Sequence, residues 1–401
     1  WIYAVGMLQI QEEVSMLPVF ALDPKPGDVV LDMCAAPGNK TAQIAVAMQN
    51  QGTVVANDIH YQRLRALGQI AQRMGLMNVN VHVGDGTSLS CREALFDKIL
   101  VDAPCSCEGT LRKGKCRVIV PRQAQSVHLA NTQIALLKKA IQLLKPGGRL
   151  VYSTCTFAPE ENECVVDTIL KQHAGVVSLR NIGIPHFVAE PGLTAWQGRS
   201  LSPELRRTWR IWPHLNNTGG FYMAVFEKEG EAPSLTEERP RVCRFKRSEA
   251  VDQTVLAVAD RFGIDVKQSG VFEYYQPSQR GIFASGAGNM ALYENGLRAF
   301  DFDSVGLFFI KTKIRFPKFS SSASLVMGRY ATKCVVELLD HQLADYLNRV
   351  DIELAPGQRI ACKGTGYVIV KYKNNVIGQG LLFEREKQQH WPLRSLFPGY
   401  W

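Results

Sequence analysis

An α/β fold is predicted, with a parallel sheet covered on both faces and smaller α+β units after it. Three observations lead there. Strand-length apolar segments and helix-length segments alternate strictly through the first half of the chain, and Gly, Pro or Asp punctuates the strand ends. With 401 residues and 46% apolar content the chain can also bury more than one core.

In order, GDVVLDMCAAPGNK gives a strand over 29–33, a turn and a helix over 39–48. GTVVANDI gives a second strand ending at Asp58, then a helix over 60–74. MNVNVHVGDG supplies a third strand, FDKILVDAP a fourth, and GGRLVYSTC a fifth after a long helix over 122–144. GGFYMAVFEK adds a strand over 221–227. Repeated strand and helix units of this spacing imply parallel pairing. This first domain is expected to span 1–230.

The charged stretch KEGEAPSLTEERPRV, with Pro233 and Pro240, marks a linker over 231–247. A small α+β unit is expected over 248–320, with a helix over 248–262 and aromatic strands such as VFEYYQ and VGLFFIKTKIRF. SSSASL is read as the polar start of a final unit over 321–401, in which 334–349 looks helical. There GTGYVIVKYKNNVIGQGLLF alternates like a hairpin turning at Asn374 and Asn375.

Composition narrows the classes. The formal net charge of +9 invites a polyanion, nucleic acid first. No apolar run reaches the roughly 18 residues of a membrane span, and no charged-then-apolar leader opens the chain, so a soluble cytoplasmic monomer is expected. The abrupt start at Trp1 suggests a missing N-terminal segment. Ten cysteines show no CxxC pair, which favours reduced thiols over disulfides, and no metal site is expected.

The loop after the first strand carries the cofactor argument. In LDMCAAPGNKT, the run Cys34, Ala35, Ala36, Pro37, Gly38, Asn39 and Lys40 lets backbone approach a ligand closely, and Pro37 stiffens the turn. It is neither GxGxxG nor a GxxxxGKS phosphate loop. Asp58, at the tip of the second strand, is placed for ribose hydroxyls, and Asp85, at the tip of the third, for an adenine amino group. S-adenosylmethionine, a nucleoside without a long phosphate tail, fits better than NAD or ATP. The alternative is a tight turn with two capping aspartates.

Cys105 and Cys155 end the fourth and fifth strands, so both thiols should face the crevice at the carboxyl ends of the sheet. The motifs DMCAAPGNKT, AND, GDG, DAPCSCEGT and YSTCTFAPEEN resemble, in order and spacing, the Sun/Nop family of RNA cytosine-5 methyltransferases of the bacterial ribosomal or transfer RNA type. The resemblance covers roughly residues 7 to 228, including a helix at QIQEEVSMLPV. It implies a Rossmann-like S-adenosylmethionine-dependent methyltransferase sheet that makes 5-methylcytosine in rRNA or tRNA through a covalent cysteine adduct.

The chemistry explains two thiols. Carbon 5 of cytosine is a poor nucleophile until a thiolate adds to carbon 6. Afterwards the proton on carbon 5 must leave and the thiol must be expelled. The resemblance implies Cys155 as nucleophile and Cys105 as the group assisting release, although the residues alone leave the roles exchangeable. Asp102 is a candidate for ring nitrogen 3 or the exocyclic amine, or else a loop cap that lines the cofactor pocket; Lys40 is a candidate for the base or a phosphate. Glu160, Glu161 and Glu163 read as the first turn of a helix after Pro159, without a catalytic role.

Two departures stand out. Cys107 replaces the glycine of the usual DAPCSG, and LRKGKCRVIVPR keeps Arg112 and Lys113 but lacks the proline and tryptophan typical downstream. The final unit weakly resembles a PUA-type RNA-binding domain, with Lys363, Lys371, Lys373, Arg385, Lys387 and Arg394 beside Tyr367, Tyr372 and Trp391 as contacts for structured RNA. Rival readings are a noncatalytic RNA-binding protein, and a methyltransferase acting on another substrate class, which would not need paired thiols.

Overall fold

The computed structural model describes residues 1–89, 94–113, 123–230, 248–266, 272–278, 281–286, 300, 302–314, 318–360, 362, 364–383 and 392–397. Cys91, Cys116, Cys243, Lys363, Arg385, Lys387, Trp391 and the expected linker lie outside them. Among the described residues, no helix is long and apolar enough to cross a membrane.

The first half forms α1 (Glu13–Leu22), β1 (Val29–Asp32), α2 (Asn39–Ala47), β2 (Thr53–Asp58), α3 (Tyr61–Met74), β3 (Val79–Val83), β4 (Phe96–Asp102), α4 (Gln123–Leu143), β5 (Leu144–Thr154) and α5 (Glu163–Gln172). β1 pairs in parallel with β2 and β4, β2 with β3, and β4 with β5. Every residue of β1 and β2 is buried, as strands covered on both faces require. Val30, Leu31, Val54, Val55, Ile99, Leu100, Leu150 and Val151 form the centre of this core.

The sheet is mixed rather than wholly parallel. The strand Phe221–Lys228 runs antiparallel to β5, and Phe302–Val305 runs antiparallel to β3 at the other edge. The second of these strands comes from the expected intermediate unit, so the sheet recruits chain from beyond the linker. Sequence reading placed no strands between 177 and 211, yet Val177–Leu179, Glu190–Pro191 and Trp209–Ile211 join the same sheet. Their shortness leaves too few residues for a periodic signal.

After the expected linker, α6 (Glu249–Arg261) follows Ser248, whose side chain accepts a hydrogen bond from Val251 N. One four-stranded and one six-stranded sheet follow, the latter running through Gly366–Tyr372 and Asn375–Leu382. SSSASL, the polar start of the final unit, opens the helix Ser321–Met327, capped by Ser320. The expected helix over 334–349 instead holds the strand Val335–Glu337, a 3₁₀ turn and the short helix Leu343–Leu347. Val335 and Val336 are β-branched and find a parallel partner in Ile369 and Val370, which overrides local propensity. The hairpin turns one residue earlier than expected, with Lys373 and Asn374 in the left-handed region that two-residue turns demand. One buried cluster, which also takes in Ala4, Val5 and Met77, runs from Val251 to Phe397 across the boundary drawn at 320.

Candidate active site

Register brings the thiols together. Asp102 of β4 lies beside Ser153 of β5, so the residues just beyond each strand end emerge side by side. Cys105 Sγ lies 3.4 Å from Cys155 Sγ and accepts a hydrogen bond from Cys155 N at 3.3 Å. Cys107 Sγ lies 3.9 Å from Cys105 Sγ, and all three sulfurs fall within 4.8 Å of one another.

Buried polar groups fix this arrangement. Glu161, wholly buried, accepts hydrogen bonds from Ser106 N at 3.1 Å and Ser106 Oγ at 2.6 Å. Gln133 of α4 donates to Pro104 O at 2.9 Å and to Glu161 at 3.1 Å. Glu108 accepts from Phe157 N at 3.0 Å and from Thr156 Oγ1. Gly109 N donates to Cys155 O at 2.8 Å; a Cβ there would collide with Gly220 O, so glycine is required. Behind Cys155, Arg210 makes a bidentate pair with Glu163, both bonds 2.5 Å, and donates to Phe157 O at 3.1 Å.

The first helical turn expected at Glu160 to Glu163 is thereby corrected: α5 begins only at Glu163, and Glu161 and Glu163 are buried struts. Sequence offered little to find them, because their partners Ser106 and Arg210 lie far along the chain.

A cleft of about 650 Å³ opens beside the thiols. Cys34, Ala36, Pro37, Lys40, Asp58, Asp85, Asp102, Cys105, Cys107, Cys155 and Phe221 are among the residues that line it. Ala35, Gly38 and Asn39 are not. Ala35 N donates to Asn57 O at 2.7 Å, Asn39 accepts from Gln9 at 2.7 Å, and Gly38 packs against α3. Gly38 has φ +114°, and a Cβ there would lie 2.8 Å from Leu67. Asp58 braces the turn by accepting from Ala36 N at 3.1 Å and His60 N at 2.9 Å. Asp85 caps a 3₁₀ turn, accepting from Thr87 N at 2.9 Å, while still facing the cleft.

Asp102 is held from both sides. Lys40 Nζ lies 2.7 Å from Oδ2, and Ser153 Oγ donates to Oδ1 at 2.8 Å. Lys40 also donates to Ser15 Oγ of α1 at 3.1 Å. Asp32, which sequence reading passed over as a strand residue, is buried behind this pair. One of its oxygens accepts from Thr41 at 2.7 Å and the other has no hydrogen-bond partner. Burial raises its pKa to about 7, against the pull of the Thr41 hydrogen bond.

The thiols divide their charge. Hydrogen bonds from Cys105 and Cys155 pull Cys107 down to about 3, and Cys107 is the exposed member. Cys105 is pushed well above the ordinary thiol value by its bonds to Cys107 and Cys155 and by burial. For Cys155 the Cys105 hydrogen bond lowers the value, but the Cys107 bond and burial outweigh it and raise it to about 12.

Parallel strands ending in a nucleoside-sized cleft, a glycine turn and successive strand-tip acids define an S-adenosylmethionine-dependent methyltransferase. The chain belongs to the family described as 16S rRNA methyltransferase RsmB/F, whose profile matches residues 19–227. It is 41% identical over 226 residues to a tRNA (cytosine(49)-C(5))-methyltransferase of Pyrococcus abyssi, a match covering 56% of this chain and 72% of that one. It is 31% identical over 384 residues to ribosomal RNA small subunit methyltransferase F of Aeromonas salmonicida, covering 94% of this chain and 76% of the relative. A crystal structure of a methyltransferase homologue from Pyrococcus horikoshii superposes with a TM-score of 0.50 at 36% identity, covering 57% of this chain and 70% of that one. Its enzyme class is that of the S-adenosylmethionine-dependent RNA cytosine-5 methyltransferases.

Proposed function

We propose that the protein methylates carbon 5 of a cytosine in ribosomal or transfer RNA through a covalent adduct with Cys155. The observation that carries this reading is the pair of thiols 3.4 Å apart at the ends of adjacent strands, opening on the cofactor cleft. A methyltransferase acting on oxygen or nitrogen has no need of them.

The cleft fits S-adenosylmethionine. Its volume of about 650 Å³ suits a ligand of that size. The Gly38 backbone turns where a Cβ would strike Leu67, and Asp58 and Asp85 stand at successive strand tips. Bound there, S-adenosylmethionine supplies an electrophilic methyl group. Cys34, Ala36, Pro37, Asp58 and Asp85 would hold it.

The side chains of the protein do the rest. Cys155 passes its proton to ring nitrogen 3 of the base as its sulfur bonds to carbon 6, which makes carbon 5 a nucleophile. The Asp102 carboxylate, paired with Lys40, accepts a hydrogen bond from the protonated ring nitrogen 3 or from the exocyclic amine and so favours attack. Cys105, 3.4 Å from Cys155 and with its own proton given up to solvent, takes the proton from carbon 5, and Cys155 leaves as the double bond reforms, recovering its proton from ring nitrogen 3. The target base must be unpaired or flipped out, at a cost of a few kcal/mol that is least in loops. Lys371, Lys373 and Arg394 on the C-terminal sheet would meet the phosphates. Lys373 and Arg394 are held at 3.5 and 3.7 Å from Asp340 and Asp351, exposed pairs that an RNA phosphate can compete with.

The test is transfer of labelled methyl from S-adenosylmethionine to cellular RNA, followed by nucleoside analysis. Label in 5-methylcytosine with the wild type and none with Cys155→Ala is expected. Equal labelling of free nucleosides or protein would contradict the substrate class, and RNA binding without transfer would leave a noncatalytic RNA-binding protein.

A further inference from the structure

We propose that Cys105, Cys107 and Cys155 form a binding site for one thiophilic divalent metal ion, zinc in the first instance, and that the bound ion silences the enzyme. The binding does not rest on the reaction proposed above; its consequence for methyl transfer does.

A zinc ion with sulfur ligands at about 2.3 Å in tetrahedral arrangement separates those sulfurs by about 3.8 Å. The sulfurs of Cys105 and Cys107 are 3.9 Å apart, those of Cys105 and Cys155 are 3.4 Å apart, and the third separation is no more than 4.8 Å. Small side-chain rotations equalise the three. No CxxC spacing announces such a site, because one ligand comes from a different strand end.

Entry and rigidity favour binding. Cys107 is exposed, so an ion reaches the cluster from solvent, while Cys105 and Cys155 are half-buried against it. The loop carrying Cys105 and Cys107 is pinned by Ser106 to the buried Glu161, so two ligands are held before the ion arrives. Cys107 adopts φ +66°, a conformation in which glycine would be relaxed, and this is what points its thiol back at its neighbours.

On binding, Zn²⁺ forms three bonds to sulfur, and Cys105 and Cys155 release their protons to solvent, with no change of oxidation state. Water takes the fourth position. Soft thiolates retain zinc against magnesium or calcium. With both Cys105 and Cys155 coordinated, neither can add to or leave cytosine.

The test uses cobalt(II) as a spectroscopic stand-in for zinc on the reduced full chain. Wild type should bind one equivalent, with sulfur-to-cobalt charge-transfer absorption that zinc bleaches. Cys107→Gly, Cys105→Ala and Cys155→Ala should each weaken binding at least tenfold. Cys107→Gly, compared with its own rate in metal-free buffer, should become at least tenfold less sensitive to zinc, and a chelator should restore the zinc-treated wild type. Equal cobalt spectra for wild type and Cys107→Gly, or no charge-transfer band at all, would overturn the site. Zinc binding by wild type without loss of methyl transfer would overturn the silencing. A wild type that transfers no methyl would sink the proposed reaction, yet the spectra would still decide the metal site.

Discussion

Removing the Arg210 side chain while leaving Glu163 in place tests whether the buried pair behind Cys155 supports the site. Glu163 is wholly buried and Arg210 is 5% exposed, with two bonds of 2.5 Å between them. Arg210→Met keeps volume but strands a carboxylate in the core. Breaking such a pair from one side costs about 3–5 kcal/mol, whereas an apolar pair of similar volume is often neutral or stabilising. The single variant should therefore lose that amount in urea unfolding, and Arg210→Met with Glu163→Leu should regain most of it. Because Arg210 also holds Phe157 O, the single variant should lose methyl transfer before it loses fold. A loss below about 1 kcal/mol, the scale of an exposed pair, would refute the reasoning.

Three further outcomes follow from the site. For Asp32, the folded pKa of about 7 lies above the ordinary 3.8, so the unfolded chain gives up its proton first and stability falls as pH rises between those values. Asp32→Asn should flatten that decline, gaining at most about 4 kcal/mol above pH 7, and equal slopes in the two proteins would contradict it. Gly38→Ala, forced against Leu67 at φ +114°, should weaken S-adenosylmethionine binding at least tenfold by calorimetry, and unchanged affinity would remove the turn from the cofactor site. Lys40→Met should lower methyl transfer by about 10²-fold while S-adenosylmethionine still binds, since it deprives Asp102 of its partner; a variant with normal turnover would discount the pair.

The sheet was legible in the sequence because its central strands are long, apolar and punctuated by Gly, Pro and Asp. The expected starts of β1 and α2, at residues 29 and 39, coincide with the observed ones. The thiol pair was legible for the same reason, since strand ends locate the crevice. What the sequence hid are long-range matters: Glu161 holding Ser106, Arg210 neutralising Glu163, and Phe302–Val305 returning to edge the first sheet. None has a local signature. Val335 and Val336 misled in the other direction, because a helical window surrounds a strand that its distant partners Ile360 and Ile369 specify. Asp32 was hidden by its neighbours, since an aspartate closing VVLD looks like one more strand-end acid until burial shows it to be unhydrated.

In the proposed reaction Cys155 attacks and Cys105 releases. The most direct measurement is denaturing gel analysis of labelled cellular RNA incubated with S-adenosylmethionine and the wild type, Cys105→Ala or Cys155→Ala. Cys105→Ala should accumulate an RNA adduct that survives denaturation, because attack proceeds while elimination fails, and Cys155→Ala should give none. An adduct with Cys155→Ala, or none with Cys105→Ala while the wild type methylates, would contradict the assignment.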